Sequence, residues 1–309
     1  MGRGLRGFGA RAFVRAALGL AMVALAACGG GGSGDDDNQD GYRSVVLGSA
    51  GYVAAGTRGI LSVATNGGKF DGVESGVRAT LNGVTFADGR YVVVGDSGTV
   101  LTSTDAFTWT IETVPTTASL QDVTFVDGRY IAVGYAGTIL TSADARLWTP
   151  RGSGTTTALR GITAGEGRLV VVGDSGIILT STDGEAWSPV ASNTGNALAR
   201  VRYGAGRFVA VGFVGTVAVS DDGLAWSARR ENFQNFATLS DLVFARDQFV
   251  IVGLGGTIVT TPNGDVLTQQ ISRTSRQLSG VTFGADEYVA VGGDLVVDRS
   301  PDGVDWEVD

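Results

Sequence analysis

From Tyr42 onward, apolar residues come in short alternating or continuous runs separated by Gly- and Asp-rich turns, and nowhere at helical spacing. The segment from Leu81 to Ile111 shows the wording. Val84-Thr85-Phe86 alternates and leads to Asp88-Gly89, a strong hairpin signal. Tyr91-Val92-Val93-Val94 is a continuous, β-branched run, as expected of a strand covered on both faces. Gly95-Asp96-Ser97-Gly98 makes the next turn, Thr99 to Ser103 a third strand, and Trp109-Thr110-Ile111 the start of a fourth.

This wording recurs seven times. A glycine closing the second strand stands at Gly56, Gly95, Gly134, Gly173, Gly212, Gly253 and Gly292. The spacing is constant except for a slightly longer step between copies five and six, and a period of about 40 residues marks a repeat architecture. One four-stranded sheet cannot bury two apolar faces, whereas sheets packed radially in a closed ring can, and they leave only short edges. The pattern predicts an all-β, seven-bladed β-propeller over residues 42–309, with four antiparallel strands per blade. It opens with an inner strand, Ser44 to Leu47, and ends with an outer one, Trp306 to Asp309. Each blade is therefore expected from one continuous segment, and the first and last blades should meet by packing rather than by sharing a sheet.

Residues 1–27 read differently. Arg3, Arg6, Arg11 and Arg15 precede an apolar stretch, Ala16 to Ala27, too short to span a bilayer. Leu25-Ala26-Ala27-Cys28 resembles the lipobox of bacterial lipoproteins, which implies a signal peptide over 1–27 and lipidation at Cys28. Residues 28–41 carry a Gly-rich run and then Asp35-Asp36-Asp37, a tether reaching about 20 Å for about 13 flexible residues. Gly29 rather than Asp after the cysteine favours, by the same resemblance, the outer membrane of a cell envelope.

Composition narrows the chemistry. The whole chain sets 23 Lys and Arg against 31 Asp and Glu. Loss of the segment 1–27 removes four of those arginines and no acid, which leaves a strongly acidic protein. Such a chain is a poor match for nucleic acid or for anionic lipid surfaces. Cys28 is the single cysteine, so no internal disulfide exists, and histidine is absent. Neither zinc nor copper, nor any other cofactor, is expected, and the commonest general base is missing.

The turn between strands three and four carries a motif. It reads Ser-x-Asp-x-x-x-Trp, with Asp105 and Trp109, Asp144 and Trp148, Asp183 and Trp187, Asp222 and Trp226, and Asp302 and Trp306. Copies one and six substitute Asn66 with Phe70 and Asn263 with Leu267. The motif resembles the Asp-box, or bacterial neuraminidase repeat, one residue shorter than its commonest form. The aspartate suits an Asx-turn and the tryptophan a seam between blades, so both are expected to be structural. Whole copies are also similar to the propellers of photosystem II assembly factors. That resemblance, over about 42–309, implies a partner-binding envelope protein, while fold alone does not fix function.

Two places depart from the repeat. The position after each repeat glycine varies freely, giving Thr57 beside Arg58, then Asp96, Tyr135, Asp174, Phe213, Leu254, and Gly293 beside Asp294. Arg58, Asp96, Tyr135, Asp174 and Phe213 are candidate binding residues around a channel mouth; freely varying loop tips are the plainer reading. The longer spacing between copies five and six falls at Arg229-Arg230-Glu231-Asn232-Phe233-Gln234-Asn235-Phe236. Arg229, Arg230, Phe233 and Phe236 form a candidate recognition loop, since aromatic and Arg residues anchor interfaces; the alternative has both phenylalanines folded back to cap the ring. In-phase arginines at Arg90, Arg129, Arg168 and Arg207 are expected to be solvated turn residues or a ladder on the opposite face, with a binding stripe as the alternative.

The expected function is that of a non-enzymatic, lipid-anchored protein-binding or assembly module with a monomeric propeller. The alternative is a glycan-binding protein or sialidase-like glycoside hydrolase. It lacks an evident Tyr–Glu nucleophile pair, since Glu112 and Glu231 have no obvious tyrosine partner.

Overall fold

The computed structural model describes residues 40–233 and 237–309. The expected signal peptide, Cys28, most of the tether and Phe236 lie outside the described residues. Within them the chain forms seven four-stranded antiparallel sheets, each a simple meander from one continuous stretch. The first sheet runs Tyr42–Gly48, Gly51–Gly56, Leu61–Ala64 and Asp71–Val73, and the last Leu278–Gly284, Glu287–Gly292, Val297–Ser300 and Glu307–Val308. The first strand of each sheet packs against the first strands of both neighbours, and the first strand of blade one meets that of blade seven. The chain is a seven-bladed β-propeller.

The pattern of burial explains the ring. In the second strand, Arg90–Gly95 for example, every residue after the first is buried, because neighbouring blades cover both faces. Apolar side chains form a cluster at each of the seven seams rather than one central core. Aromatic hydroxyls stitch several seams. Tyr130 donates to Ala87 O at 2.7 Å and Tyr288 to Ala245 O at 2.8 Å, each reaching the preceding blade. Tyr52 does the same across the closure, donating to Gly284 O at 2.5 Å.

A meander places its turns on alternate ends. The hairpin between strands one and two and the aspartate turn between strands three and four share one face. The turn between strands two and three and the connection to the next blade share the other, which holds the mouth of the channel.

The aspartate turns are built as small cages. Asp105 Oδ1 accepts from the N–H groups of Phe107 and Thr108 at 2.8 and 2.7 Å, and the Trp109 ring N–H donates to Ala106 O at 2.9 Å. Asp183 makes the same pair of bonds with Glu185 and Ala186. These backbone donors stabilise the ionised form and hold both carboxyls down at about 2. Three of the in-phase arginines, Arg129, Arg168 and Arg207, reach across to these turns from the preceding blade. Arg168 Nε donates to Asp222 O, and Arg207 bonds Asn263 O and the Asp265 carboxylate. Gln248 repeats the contact with Asp302 O. The ladder thus runs from blade to blade.

Candidate binding mouth

The mouth is built from a backbone that repeats and a side chain that does not. Each variable residue in blades one to six begins a one-turn 3-10 segment, as in Tyr135–Gly137, and its N–H donates to the connection that enters its blade; Gly293 of blade seven makes the same N–H bond from a plain turn. Tyr135 N bonds Ser119 O at 2.8 Å, Asp174 N bonds Ala158 O at 2.9 Å and Phe213 N bonds Ala197 O at 3.0 Å. Glycines on both sides permit this close approach. A Cβ on Gly134 would lie 2.3 Å from Ser119 O, and one on Gly137, at φ +67°, 2.0 Å from Thr155 O. The backbone bond fixes the position whatever the side chain, so the fold leaves residue identity at that point free.

Three of the candidates meet. Arg160, near the start of the innermost strand of blade four (Leu159–Gly165), places its guanidinium 5.8 Å from the Tyr135 ring centre and 5.4 Å from that of Phe213. The same guanidinium is paired with Asp174, with one bond from Nε and a second at 3.2 Å. Burial works against the arginine's charge, but the bonds to Asp174 and Tyr135 more than offset it and hold its pKa above the ordinary value. Tyr135 is 42% exposed, so the cluster offers an aromatic edge to solvent. A shallow groove runs beside it between two connections, lined by Pro115, Thr116, Ala136, Pro150, Gly152 and Thr156.

The other mouth candidates are placed separately. Asp96 accepts from Asn82 Nδ2 at 2.9 Å, and Asn82 also donates to Leu120 O of the next blade. Arg58 is ion-paired with Asp40 at the closure. Arg229 and Arg230, expected on a recognition loop, instead belong to the outer strand Ser227–Arg230, because they pair with Val217 and Thr216; Arg229 Nε bonds Glu231 at 2.6 Å, while its NH2 donates to Gly264 O and Asp265 O of blade six. Phe233 is partly buried against Val209, Leu239, Phe249 and their neighbours at the seam of blades five and six. Arg230 is exposed at the end of the outer strand Ser227–Arg230.

Comparison of the copies does not single out Arg160, nor the polar brace beneath it. Arg200 and Arg202 project from the innermost strand of blade five, Leu198–Gly204, into the channel. Arg202 lies 3.7 Å from Asp122 of blade three and 3.7 Å from Asp241 of blade six. Arg200 donates to Arg160 O at 2.6 Å and lies 3.9 Å from Asp241. Each aspartate also caps an inner-edge amide of the next blade: Ile162 N to Asp122 at 3.1 Å and Val281 N to Asp241 at 3.0 Å. Burial raises the Asp241 pKa against the pull of Arg202, Arg200 and the Val281 N–H. Ser240 Oγ and Asp241 Oδ1, both buried, make no hydrogen bond within the protein. A signal is present in the sequence, since Arg200 and Arg202 stand where the other copies carry Gly, Ser or Asp, and Thr or Val.

Among the described residues, no three His, Cys, Asp or Glu side chains come together as metal ligands would. The mouth can bind, through an aromatic–guanidinium cluster, a carboxylate and a groove.

No protein-family model and no curated protein sequence matches the chain. Solved structures do. The photosystem II assembly factor YCF48, solved bound to a D1 peptide, superposes with a TM-score of 0.69 at 16% identity, over 84% of this chain and 91% of that one. The propeller is similar to YCF48. YCF48 from Cyanidioschyzon merolae gives a TM-score of 0.67 at 15% identity, over 84% and 94% of the two chains. A catalytically inactive virginiamycin B lyase from Staphylococcus aureus, solved with quinupristin, gives 0.73 at 14% identity, over 83% and 95%. A binding protein and a lyase fit comparably well, so these likenesses speak to the fold, and function rests on the site.

Proposed function

We propose that this protein is a lipid-anchored envelope propeller that holds a protein partner at its mouth and does no chemistry on it. The observation that carries this reading is the meeting of Tyr135, Arg160, Asp174 and Phe213, contributed by three successive blades at one edge of the mouth. Aromatic and Arg residues that are half-buried and held in place are the kind that anchor protein interfaces. The adjoining groove gives an extended segment somewhere to lie. YCF48, solved with a peptide bound, supports a peptide as the type of ligand for a ring of this shape. Cys28, following a lipobox-like Leu25-Ala26-Ala27, supplies the anchor in this reading, with the outer membrane favoured.

The test is a photo-crosslink in cells. With p-benzoylphenylalanine in place of Tyr135, a discrete protein adduct is expected, and with it in place of Leu147, exposed in an aspartate turn on the other face, none. Absence of a protein adduct at Tyr135 would sink the reading. So would robust hydrolysis of aryl sialosides by the purified chain, which belongs to the glycosidase alternative.

A further inference from the structure

In four of the aspartate turns, the serine that opens the turn holds the amide that follows the aspartate. Ser103 Oγ accepts from Ala106 N at 2.9 Å, and Ser181, Ser220 and Ser300 accept in the same way from Gly184, Gly223 and Gly303. Blade six keeps the arrangement, with Thr261 Oγ1 accepting from Gly264 N at 2.9 Å. Blade one carries Ala64 in this slot, so no hydroxyl is there to hold Gly67 N. Asn66, exposed at φ 53° and ψ 36°, makes no side-chain hydrogen bond among the described residues. One backbone bond, Gly68 N to Thr65 O at 3.0 Å, closes the turn, and a Cβ added at Gly67 would meet nothing within 4 Å.

Asn-Gly pairs are reactive because the glycine amide reaches the asparagine side-chain carbonyl with no Cβ in the way and little restriction on the backbone. The chain has three, Asn66-Gly67, Asn82-Gly83 and Asn263-Gly264. Two are locked. Asn82 lies in the inner strand Leu81–Ala87, and its Nδ2 donates to Asp96 Oδ1 and Leu120 O at 2.9 Å each. A Cβ on Gly83 would stand 3.1 Å from Asp122 Cα. The Asn263 amide is bonded through both its nitrogen and its oxygen to Asp265, while Thr261 holds the Gly264 N–H.

We infer that Asn66 is a self-modification site, at which the folded protein deamidates far faster than at its other two Asn-Gly pairs. Gly67 N gives up its proton to solvent and attacks Asn66 Cγ. The N–Cγ bond forms, the Cγ–Nδ2 bond breaks, and ammonia leaves. Water then opens the cyclic imide. Opening at Cγ gives aspartate, the residue that five other copies carry in this slot. Opening at the main-chain carbonyl gives isoaspartate, whose backbone runs through Cγ and is one carbon longer. One water is consumed and one ammonia released, with no change of oxidation state. The longer product bears on the ring closure, because Gly68 O, two residues on, accepts from Arg299 NH2 at 3.1 Å across the junction of blades one and seven. An added backbone carbon displaces that carbonyl, so the closure loosens as the protein ages.

The experiment incubates the full, detergent-solubilised chain in mildly alkaline buffer and follows it by brief tryptic digestion, with a fresh sample as the zero point. Trypsin places the three pairs in separate peptides, 59–69, 79–90 and 247–273. The mass gain of an amide-to-acid exchange is expected in 59–69 at least several-fold faster than in the other two. It should appear as two isomers, one of them a methyl acceptor for protein L-isoaspartate methyltransferase. In guanidinium chloride the three rates should converge. Equal rates in the folded chain, or no gain in 59–69, would overturn the site. Ala64→Ser supplies the missing hydroxyl and should slow the conversion several-fold; an unchanged rate would refute the assigned cause. Asn66→Gln, whose longer side chain closes an imide much more slowly, is the control for ageing. Aged wild type should unfold at a lower denaturant midpoint than equally aged Asn66→Gln, after correction for the fresh proteins. Equal midpoints would refute the link to ring closure.

Discussion

The guanidinium of Arg299, in the last blade, lies 5.6 Å from the ring centre of Tyr52, in the first. The same group bonds Glu287 and Asp309 at 2.7 Å each and donates to Gly68 O of blade one at 3.1 Å. Blades two to six carry Thr or Val at this point of the third strand. Blades one and seven share no sheet, so Arg299 concentrates at the closure contacts that continuous covalent connection supplies elsewhere.

Arg299→Met should therefore cost about 2–4 kcal/mol in denaturant unfolding, since it strips a largely buried guanidinium from two carboxylates. Arg246→Met is the comparison. Its guanidinium also lies over an aromatic ring, that of Phe283, at 5.3 Å, but its side chain is 47% exposed. Exposed pairs are worth about 1 kcal/mol or less. Equal losses at the two positions would contradict a special role for Arg299 in closure.

The channel brace makes a second prediction. Arg202→Met leaves Asp122 and Asp241 facing each other without their shared cation, and a loss of about 3–5 kcal/mol is expected at neutral pH. Asp241→Asn added to it should recover part of that loss, because it removes one of the two stranded charges. A double-mutant cycle measures the coupling. Strict additivity would mean that the distances of 3.7 Å do not amount to an energetic link.

The tryptophans differ in depth and should differ in cost. Trp306 is 1% exposed and donates its ring N–H to Gly303 O at 2.9 Å. Trp187 is only half-buried and its ring nitrogen has no partner. Trp306→Ala is expected to cost about 3–5 kcal/mol and Trp187→Ala distinctly less. Chemical denaturation of the two variants decides this, and an equal or larger loss at Trp187 would reverse the order.

What the sequence made legible follows from what repeats. Tyr91 to Val94 and its counterparts announce a doubly covered strand, and seven in-phase copies leave a ring as the way to cover them all. The position of the variable residue was also legible, because Gly134 and Gly137 frame Tyr135 in the chain just as they clamp its backbone in space. What the repeat could not show is which side chains converge across blades. Tyr135, Arg160 and Phe213 come from three different copies and from two different slots of the repeat. The pairing of Arg202 with Asp122 likewise joins blade five to blade three across the channel. Comparison of copies sets each residue beside its equivalents. These contacts join non-equivalent positions, so they appear only once the ring is closed.

The last departure from the repeat predicts an unusual response to pH. Asp298 sits fully buried in the third strand of blade seven, where blades two, three and four carry Leu101, Leu140 and Leu179. Its Oδ1 has no partner, and its other oxygen is 3.5 Å from Ser272 Oγ. Burial, with Ser272 opposing and Asp309 adding, pushes this carboxyl up to about 6 from 3.8. A raised folded-state value means that the native state holds the proton over a range where the unfolded chain has released it. The stability from that bound proton is complete below about 3.8 and is lost as pH rises through about 6, a change of roughly 3 kcal/mol. The aspartate turns act in the opposite sense, but Asp105 and Asp183 lose their contribution only as pH falls from 3.8 toward about 2, outside that window. Unfolding free energy measured from about pH 4 to 7.5 should therefore fall in the wild type. Asp298→Leu, which restores the residue of blades two, three and four, should make the curve less steep, with buried Asp241 acting in the same sense in both proteins, and raise stability at neutral pH by about 2–4 kcal/mol. A variant whose pH dependence parallels that of the wild type would show that Asp298 does not titrate in this range.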